Sequence, residues 1–303
     1  MSSSLLTNSS AMTALQTLRS VSSQLATTQN RISTGMRVAT ASDNAAYWSI
    51  ATSMRADNAA LSAVSDSLGL SAATVDTEYT ALTAVVGDKT GGLTKLQALL
   101  VEAKTAGIDR AKIQSDITQI QAQMKSTADA ATFNGVNWLS ATASTPATFD
   151  LVSSFSRVSG TPTIGSITLT ISNYSLYSTS STGILDTQTT AGVSVDNLDI
   201  TSLTDAASDQ TTLDTYITQI TAAINSVASA AADLGAVKNR ISTNTDFVKT
   251  LMDSVDRGIG QLVDADMNAE STRLQALQTQ QQLGVQALSI ANQNSQSILS
   301  LFK

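Results

Sequence analysis

Apolar residues in the first third of the chain recur at alternating spacings of three and four. The run comprises Leu61, Val64, Leu68, Ser71, Val75, Glu78, Leu82 and Val85. This is the a/d spacing of a heptad repeat, with Ser71 and Glu78 as polar interruptions. Gly91-Gly92 breaks the pattern. Two shorter helices are predicted next, on Leu93, Leu96 and Leu100 and then on Ile113, Ile117, Ile120 and Met124, with Asp109 as the N-cap of the second.

A longer run of the same kind occupies the last third of the chain. Its positions are Leu213, Ile217, Ile220, Ile224, Val227, Ala231, Leu234, Lys238, Ile241, Thr245, Val248, Met252, Val255, Ile259 and Leu262. All but Lys238 and Thr245 are apolar. The unbroken register favours one long helix of a coiled coil or rod. The alternative is several ordinary core helices in sequence.

The two ends carry thinner versions of this pattern. At the N-terminal end the positions are Ala11, Ala14, Leu18, Val21, Leu25, Thr28 and Ile32, and at the C-terminal end Leu274, Leu277, Gly284, Leu288, Ala291 and Ile298. Stripes this narrow cannot hold an isolated helix together in water. The ends therefore need partners.

The middle of the chain has a different composition, rich in Ser and Thr and poor in charge. Alternation in Ile167, Leu169 and Ile171, and again in Val193 and Val195, predicts short β-strands and turns. The predicted fold is mainly α: a long antiparallel helical coiled-coil rod built from both chain ends, with a small β-rich inserted outer domain.

Composition narrows the possible chemistry. The chain has no Cys and no His, which removes thiol nucleophiles, imidazole bases and the usual zinc sites. The close pairs Asp253 with Asp256 and Asp264 with Asp266 are interpreted as solvated, or paired with neighbours such as Arg257. We expect no enzyme activity, no metal and no cofactor.

Charge and hydropathy argue against two kinds of partner. The net charge of −7 and the pI near 4.5 disfavour nucleic acid. No uninterrupted apolar run is long enough to cross a bilayer, so no membrane partner is expected. The first residues lack the basic stretch and apolar core of a secretory signal peptide, so export would need another route.

Five short motifs occur in a fixed order along the chain. They are Arg31-Ile-Ser-Thr-Gly-Met-Arg37 with Ala41-Ser-Asp-Asn-Ala-Ala46; Phe133-Asn-Gly-Val136; Leu234-Gly-Ala-Val-Lys-Asn-Arg-Ile241; Asp264-Ala-Asp266 with Glu270; and Ala291-Asn-Gln293 with Gln296 and Leu299-Ser-Leu301. Together they resemble bacterial flagellins over about residues 1–140 and 205–303. The central segment matches no motif.

The resemblance implies an arrangement in layers. Segments 1–45 and 263–303 would form filament-core helices, 46–140 and 205–262 the arms of a helical rod domain, and 141–204 a variable outer domain. It also implies polymerisation contacts at Arg31, Ser33, Gly35, Arg37, Asp43, Ala45, Asp264, Asp266, Glu270, Asn292, Gln293, Leu299 and Leu301, and a hairpin at Asn134 and Gly135. Gly35, Gly258 and Gly260 are expected to interrupt helices near the change of direction.

The function implied is a structural subunit that polymerises into the flagellar filament for swimming motility. Export would use the flagellar type III apparatus, and the location would be extracellular. The partner is the chain itself; other flagellins, the filament cap, the hook–filament junction protein and an export chaperone are further candidates. The alternatives are a hook–filament junction protein, a coiled-coil signal transducer, which needs a membrane span, and a flagellin whose insert carries a zinc protease, which needs a His pair.

Two segments depart from the pattern that host receptors read in many flagellins. In the strip Leu93–Glu102, Gln97 and Ala98 stand where an arginine–glutamate pair is usual. In the segment Asn30–Ala51, Ser42, Asn44 and Tyr47-Trp48 replace a lysine, an aspartate, a glycine and a small aliphatic residue. We expect weak receptor recognition, with neutral drift as the alternative explanation.

Overall fold

The computed structural model describes residues 8–88, 91–142, 145–158, 161–188 and 192–300, which are mostly helical. The helices are α1 Ser9–Thr34, α2 Ala45–Val86, α3 Gly92–Ala103, α4 Arg110–Ala130, α5 Ala207–Val263 and α6 Met267–Ser300. The strands are β1 Ser140–Ala141, β2 Thr148–Val158, β3 Thr161–Thr170 and β4 Tyr177–Ser178. Contacts divide the chain into a terminal unit, Met1–Ala59 with Met252–Lys303, and a central unit, Ala60–Leu251.

The heptad positions of α2 form one side of the core of the central unit. All eight predicted positions are buried, including the polar Ser71 and Glu78. The three predicted positions of α3 and the four of α4 are buried as well. Asp109 caps α4 by accepting a hydrogen bond from the backbone N–H of Ala111, as predicted. Three-four spacing therefore identified the buried face of each helix.

The last-third pattern forms one helix of 57 residues, α5, which confirms the prediction of a single long element. In the central unit its buried stripe includes Leu213, Ile220, Val227, Ala231, Leu234, Ile241 and Val248. Lys238, the charged interruption, is exposed and its Nζ lies 2.5 Å from Asp76 Oδ1 of α2. A charge fits the pattern there because the aliphatic stem can cover apolar surface while the ammonium stays at the rim.

The expectation that nothing in the chain could cross a bilayer is too strong. By length and composition α5 qualifies, with a window of mean hydropathy 1.3, of which 39% is buried inside the structure. The core helix of a soluble protein passes the same test. One stripe of α5 is already buried against the rest of this chain. This packing is enough to explain why the helix is apolar.

The middle segment has fewer strands than its alternation predicts. β2 and β3 pair as an antiparallel ribbon, and β1 and β4 form a short parallel pair. Ile167 and Leu169 lie in β3, but Ile171 begins a 3-10 turn and Val195 lies in another, Val195–Asn197. The strand predicted at Val193 and Val195 is therefore wrong.

The reason lies in the helices beside this segment. Gln219 Nε2 of α5 donates to the Val193 carbonyl at 2.8 Å, and Gln121 Nε2 of α4 donates to the Val195 carbonyl at 2.9 Å. Side-chain amides thus satisfy backbone groups that a neighbouring strand would otherwise bind. Alternation in the sequence reports burial on one side and cannot show which groups bind the backbone.

Three aromatic rings anchor the middle segment. Trp138 is fully buried, with its ring centroid 5.4 Å from that of Phe149 and 6.4 Å from that of Tyr174. The Tyr174 hydroxyl donates to the Asp233 carboxylate of α5. Trp138 is therefore a packing residue of the central unit, while Trp48 is 37% exposed at the start of α2.

Candidate assembly site at the chain termini

Helices α1 and α6 pair in the terminal unit and bury little in doing so. Every predicted N-terminal seam position is buried or half-buried, and so is each C-terminal one except Ile298, whose side chain lies outside the described part. Among the described side chains of the two helices, only Val21 and Thr28 of α1 and Glu270 and Leu277 of α6 are buried. A Cβ on Gly284 would lie 3.2 Å from Leu18 Cδ1, so glycine permits close approach there.

Both helices meet a short backbone junction. Gly35 has φ +71° and ends α1 in the left-handed region, which glycine adopts without a Cβ clash. The backbone N–H groups of Arg37 and Val38 then donate to the Val263 carbonyl at 2.6 and 3.2 Å. The Ala265 N–H donates to the Gly35 carbonyl at 2.9 Å. The end of α1 and the end of α5 are thus tied by the main chain.

An ion pair lies beside this junction. Arg31 Nη1 is 3.1 Å from Glu270 Oε1, and the side chains are 28% and 10% exposed. Arg273 Nη1 is farther from the same oxygen, at 3.7 Å, and is 60% exposed. Glu270 Oε2 and Arg31 Nε are buried without a hydrogen-bond partner among the described residues. The carboxylate therefore depends mainly on Arg31 for its compensation.

Two aspartates hold the chain on either side of the junction. Asp43 Oδ2 accepts from the N–H groups of Ala39 and Thr40 at 3.1 and 2.9 Å. The backbone N–H and the hydroxyl of Thr40 lower the pKa of the Asp43 carboxyl from its ordinary value. Asp266 Oδ1 accepts from Asn268 N and Ala269 N and so caps α6. Both carboxylates therefore accept hydrogen bonds from the backbone of their own chain and stabilise local turns.

A small apolar cluster closes the terminal unit. Its buried members are Val38, Ala51, Ile259 and Val263, with Met54, Val255 and Leu262 packed against them. The predicted helix interruptions at Gly258 and Gly260 are wrong, since α5 continues to Val263. A Cβ on Gly258 would lie 2.9 Å from Met54 Cε, and one on Gly260 would lie 2.7 Å from Asp264 Oδ2. These glycines make room for neighbours inside a continuous helix.

The structure brings some predicted site residues together and leaves others apart. Arg31, Gly35, Arg37, Asp264 and Glu270 meet at the junction, where Met36 and Asp264 form a β-bridge. The remaining members are exposed or fall outside the description: Ser33, Ala45, Asn292 and Gln293 are exposed, the Leu299 side chain is not described, and Leu301 lies outside the described residues.

The turn at Asn134 and Gly135 lies in the central unit. The two residues have φ of +50° and +79°. Phe133 and Val136 exchange N–H to carbonyl hydrogen bonds of 2.9 Å each across it. Positive φ at both central residues is the geometry of a type I′ hairpin turn, which Asn-Gly favours.

Seam analysis missed a second set of side chains on the terminal helices. Five apolar residues outside the predicted seams of α1 and α6 are exposed: Met12, Leu15, Leu283, Val285 and Ile290. Ile290 is 61% exposed and Leu283 is 58% exposed. A helix pair in water gains nothing from such side chains, and exposed apolar surface of this kind commonly marks an interaction site.

Sequence analysis also missed the environment of Glu78. It is fully buried in the α2 seam, and Oε1 accepts from the Trp138 backbone N–H at 2.9 Å. Oε2 has no hydrogen-bond partner in the described part of the chain. Burial raises the pKa of this carboxyl to about 8. The described residues contain no group of three Asp, Glu, His or Cys side chains that could hold a metal ion.

Comparison with known proteins agrees with this architecture. Residues 5–144 match the bacterial flagellin N-terminal helical region, and residues 217–302 match the bacterial flagellin C-terminal helical region. The chain is 44% identical to flagellin C of Rhizobium meliloti (strain 1021), with 99% of each chain covered. It is also 44% identical to a flagellin of Brucella melitensis, with 99% of each covered, and 40% identical to flagellin A of Rhizobium meliloti (strain 1021), with 99% of this chain and all of the relative covered.

The chain belongs to the bacterial flagellin family. Similarity of this kind along the full chain supports a structural subunit of the flagellar filament, and the hook–filament junction protein is not favoured.

Proposed function

We propose that α1 and α6 are the segments through which this chain joins copies of itself in the filament. The observation that carries the proposal is the apolar surface that this helix pair leaves exposed. Met12, Leu15, Leu283, Val285 and Ile290 remain exposed after the intrachain seam is formed. Neighbouring copies that cover these side chains supply the burial that one copy lacks.

The predicted site residues then divide into two roles. Arg31, Gly35, Arg37, Asp43, Asp264, Asp266 and Glu270 set the geometry of the terminal unit within one chain. Ser33, Ala45, Asn292 and Gln293 are exposed and are offered as direct subunit contacts, together with Leu299 and Leu301. The first group therefore acts on assembly by positioning the helices, and the second by touching the neighbour.

The arms and the insert receive separate roles in this proposal. Segments 46–140 and 205–262 form a coiled-coil rod domain, which is supported by the buried seams of α2 and α5. Segment 141–204 forms a β-rich outer domain. Its support is that the two family regions leave residues 145–216 unmatched and that β2 and β3 lie there. Such a division lets the outer surface vary while the polymerising segments stay constant.

Family membership supports a proposed export route and a set of proposed partners. Export through the flagellar type III apparatus places the subunit outside the cell, and the chain acts as a building unit and not as an enzyme. Other flagellins, the filament cap, the hook–filament junction protein and an export chaperone are the further partners proposed. Coupled ordering and assembly explains why terminal helices with so little intrachain burial can serve.

Seeded polymerisation of the purified chain tests the proposal. Short filament fragments are added to monomer, and growth is followed by light scattering and negative-stain microscopy. Ile290→Asp places a charge on the exposed apolar face and should abolish growth. Ser289→Asp places the same charge on the adjacent exposed residue and should slow growth much less. Normal growth of Ile290→Asp would contradict the proposed interface.

A further inference from the structure

Residues 137–140 lead from the hairpin turn into the insert, and we call them the insert base. The Asn137 side chain ties this base to the last turn of α4, because its Nδ2 donates to the Ala128 carbonyl at 2.8 Å. Its Oδ1 accepts from the N–H groups of Leu139 and Ser140 at 2.9 and 2.8 Å. The side chain of Asn137 therefore holds the insert base in one turn at the end of the arm.

The insert base is also joined to later residues of the insert. The Leu139 carbonyl accepts from the N–H groups of Leu176 and Tyr177 at 2.9 Å each. The fully buried Trp138 ring has its centroid 5.4 Å from that of Phe149 in β2. A change in the position of the insert base would therefore disturb the contacts of both β2 and β4.

One hydrogen bond ties the insert base to α2. The Trp138 backbone N–H donates to Glu78 Oε1 at 2.9 Å, and Glu78 is fully buried in the α2 seam between Val75 and Leu82. In the described part of the chain, Glu78 Oε2 and Trp138 Nε1 are buried without a hydrogen-bond partner. Each such group costs free energy that contact with water would recover. The fold should therefore open more easily at this contact than along the apolar seams.

Among the residues that the structure describes, no charged side chain compensates an ionised Glu78. Burial raises the pKa of its carboxyl to about 8, and only the Trp138 N–H opposes that rise. The charged side chains on the surrounding elements have other partners: Lys125 of α4 with Asp129 and the Tyr177 ring, Lys238 of α5 with Asp76 of α2, and Asp233 of α5 with the Tyr174 hydroxyl. A buried carboxylate with one neutral donor is costly, so this geometry suits the neutral carboxyl.

We infer that Glu78 and Trp138 form a pH-sensitive latch for the insert. In the closed state the neutral carboxyl holds the insert base on α2. Ionisation of Glu78 favours an open state, in which the insert base has moved away and both groups reach water. The insert base is the part that moves, because it lies outside the helices and strands except at Ser140, whereas Glu78 is fixed in a helix between fully buried seam residues.

The direction of the pH effect follows from the two states. The Glu78 carboxyl has its pKa at about 8 in the closed state and near the ordinary value of 4.5 in the open state, so protonation favours closure. The ratio of open to closed molecules should rise about tenfold per pH unit between pH 4.5 and about pH 8 and stay constant above that. The latch is internal to one subunit and does not depend on how copies contact each other.

Hydrogen exchange of the full chain, corrected for the intrinsic exchange rate at each pH, tests the latch. The reporter is the amide of Trp138, which is the donor to Glu78. Its protection should fall about tenfold per pH unit from about pH 5 to about pH 8. Throughout this range it should also be lower, by about tenfold or more, than the protection of the Leu234 and Ile241 amides in the buried stripe of α5.

Two substitutions assign the effect to one carboxyl. Glu78→Gln keeps an oxygen for the Trp138 N–H but cannot ionise, so the protection of the Trp138 amide should not vary with pH. Glu102→Gln removes an exposed carboxyl of α3 and should keep the dependence of the parent chain.

Three results would overturn the latch. They are protection of the Trp138 amide that does not change with pH in the parent chain, the same pH dependence in Glu78→Gln, and equal protection at Trp138 and in the buried stripe of α5. The third would show that Glu78 reaches water only when the whole central unit unfolds. If Glu78→Gln does not fold, the comparison of Trp138 with α5 in the parent chain still decides between local and global opening.

Discussion

Glu270 is the residue on which the terminal junction depends most. Its carboxylate is 10% exposed and 3.1 Å from Arg31. Arg31→Ala leaves this charge with only the distant Arg273, which should cost about 2 kcal/mol. We expect the critical monomer concentration for polymerisation to rise at least tenfold, since a factor of ten corresponds to about 1.4 kcal/mol.

The matched control for this prediction is Arg273→Ala. Its guanidinium is 60% exposed and lies 3.7 Å from Glu270, so its removal should change the critical concentration less than twofold. Equal effects of the two substitutions would show that the proximity and burial of Arg31 do not determine the critical concentration.

The buried carboxyl of Glu78 should make the stability of the folded chain depend on pH. Its pKa is raised from 4.5 to about 8 in the folded chain because the carboxyl is buried, so the folded state binds a proton that the unfolded state has released. The contribution of Glu78 to stability is therefore full below pH 4.5 and falls with rising pH, by about 1.4 kcal/mol per unit, until about pH 8. Above that value the loss is complete.

Substitution by glutamine isolates this contribution. Glu78→Gln cannot ionise and keeps an oxygen for the Trp138 N–H, so the fall in urea midpoint between pH 5 and pH 8 should be smaller than in the parent chain. Glu102→Gln, at an exposed position of α3, should leave the parent slope unchanged. A Glu78→Gln variant with the full parent slope would rule out Glu78 as its source.

We also expect receptor recognition to depend on single residues. Gln97 Nε2 donates to Thr221 Oγ1 at 2.8 Å, and Ala98 is exposed. The pair Gln97→Arg with Ala98→Glu should restore the charged pattern that a Toll-like receptor reads in other flagellins and raise the response of reporter cells at least tenfold. The inverse order, Gln97→Glu with Ala98→Arg, is the control. A strong response to the parent chain would contradict the expectation.

At the scale of elements, sequence periodicity correctly predicted which face of each helix is buried. The seams of α2, α3 and α4 are buried where three-four spacing places them, and the seam of α5 is buried or half-buried except at Lys238, because a helix face is set by local geometry. The failures depended on partners distant in sequence. The carbonyls of Val193 and Val195 accept hydrogen bonds from glutamines of two helices, and Gly258 packs against Met54, whose Cε would lie 2.9 Å from an added Cβ. No local pattern carries that information.

For the junction of the terminal helices, the sequence predicted which residues take part but not which of them contact each other. The family motifs singled out Arg31 and Glu270, but their ion pair joins positions 239 residues apart in the sequence. A bulge in β2, where Ser153 is the extra residue, was hidden for a related reason. One extra residue in a run of serines leaves the composition unchanged, yet it moves Phe155 to the other face of the ribbon.

The small burial of the terminal helices predicts that they are sensitive to protease in the monomer. Because α1 and α6 bury so few side chains, about residues 1–40 and 265–303 should be cut early by protease in the free subunit, while the arms resist. Removing residues 265–303 should abolish polymerisation and leave the thermal unfolding of the arms within about 3 °C of the parent. Resistance of both tails in the monomer would contradict ordering on assembly.

At the scale of the whole molecule, the insert is divided into a part that supports the arms and a part that does not. Residues after β4 bind the arms: Gln114 Nε2 of α4 donates to the Leu198 carbonyl at 3.1 Å, and Arg110 Nη1 donates to the Leu203 carbonyl at 3.3 Å. Leu176, Leu185 and Ile200 are fully buried. The distal ribbon, residues 152–166, contains no side chain that is fully buried among its described residues.

Two deletions should therefore differ in effect. Replacing residues 143–203 by a Gly-Ser linker removes the groups that cover Trp138 and satisfy Gln114, Gln121 and Gln219, so the arms should lose several kcal/mol of stability. Polymerisation should remain possible, because the terminal helices are untouched and loop length costs little. Electron microscopy should show thinner filaments, and urea unfolding should show the loss. Failure to polymerise with folded arms would place a required contact in the insert.

The shorter deletion should be tolerated. Leu151 and Ile167 are ladder partners, so residues 152–166 can be replaced by Asn-Gly, which joins two paired strands in a tight turn. The inward pairs with Phe149 and Leu151 remain, and the free energy of unfolding of the monomer should stay within about 1 kcal/mol of the parent. Filaments should form and be thinner. A large loss of monomer stability would show that the distal strands support the core.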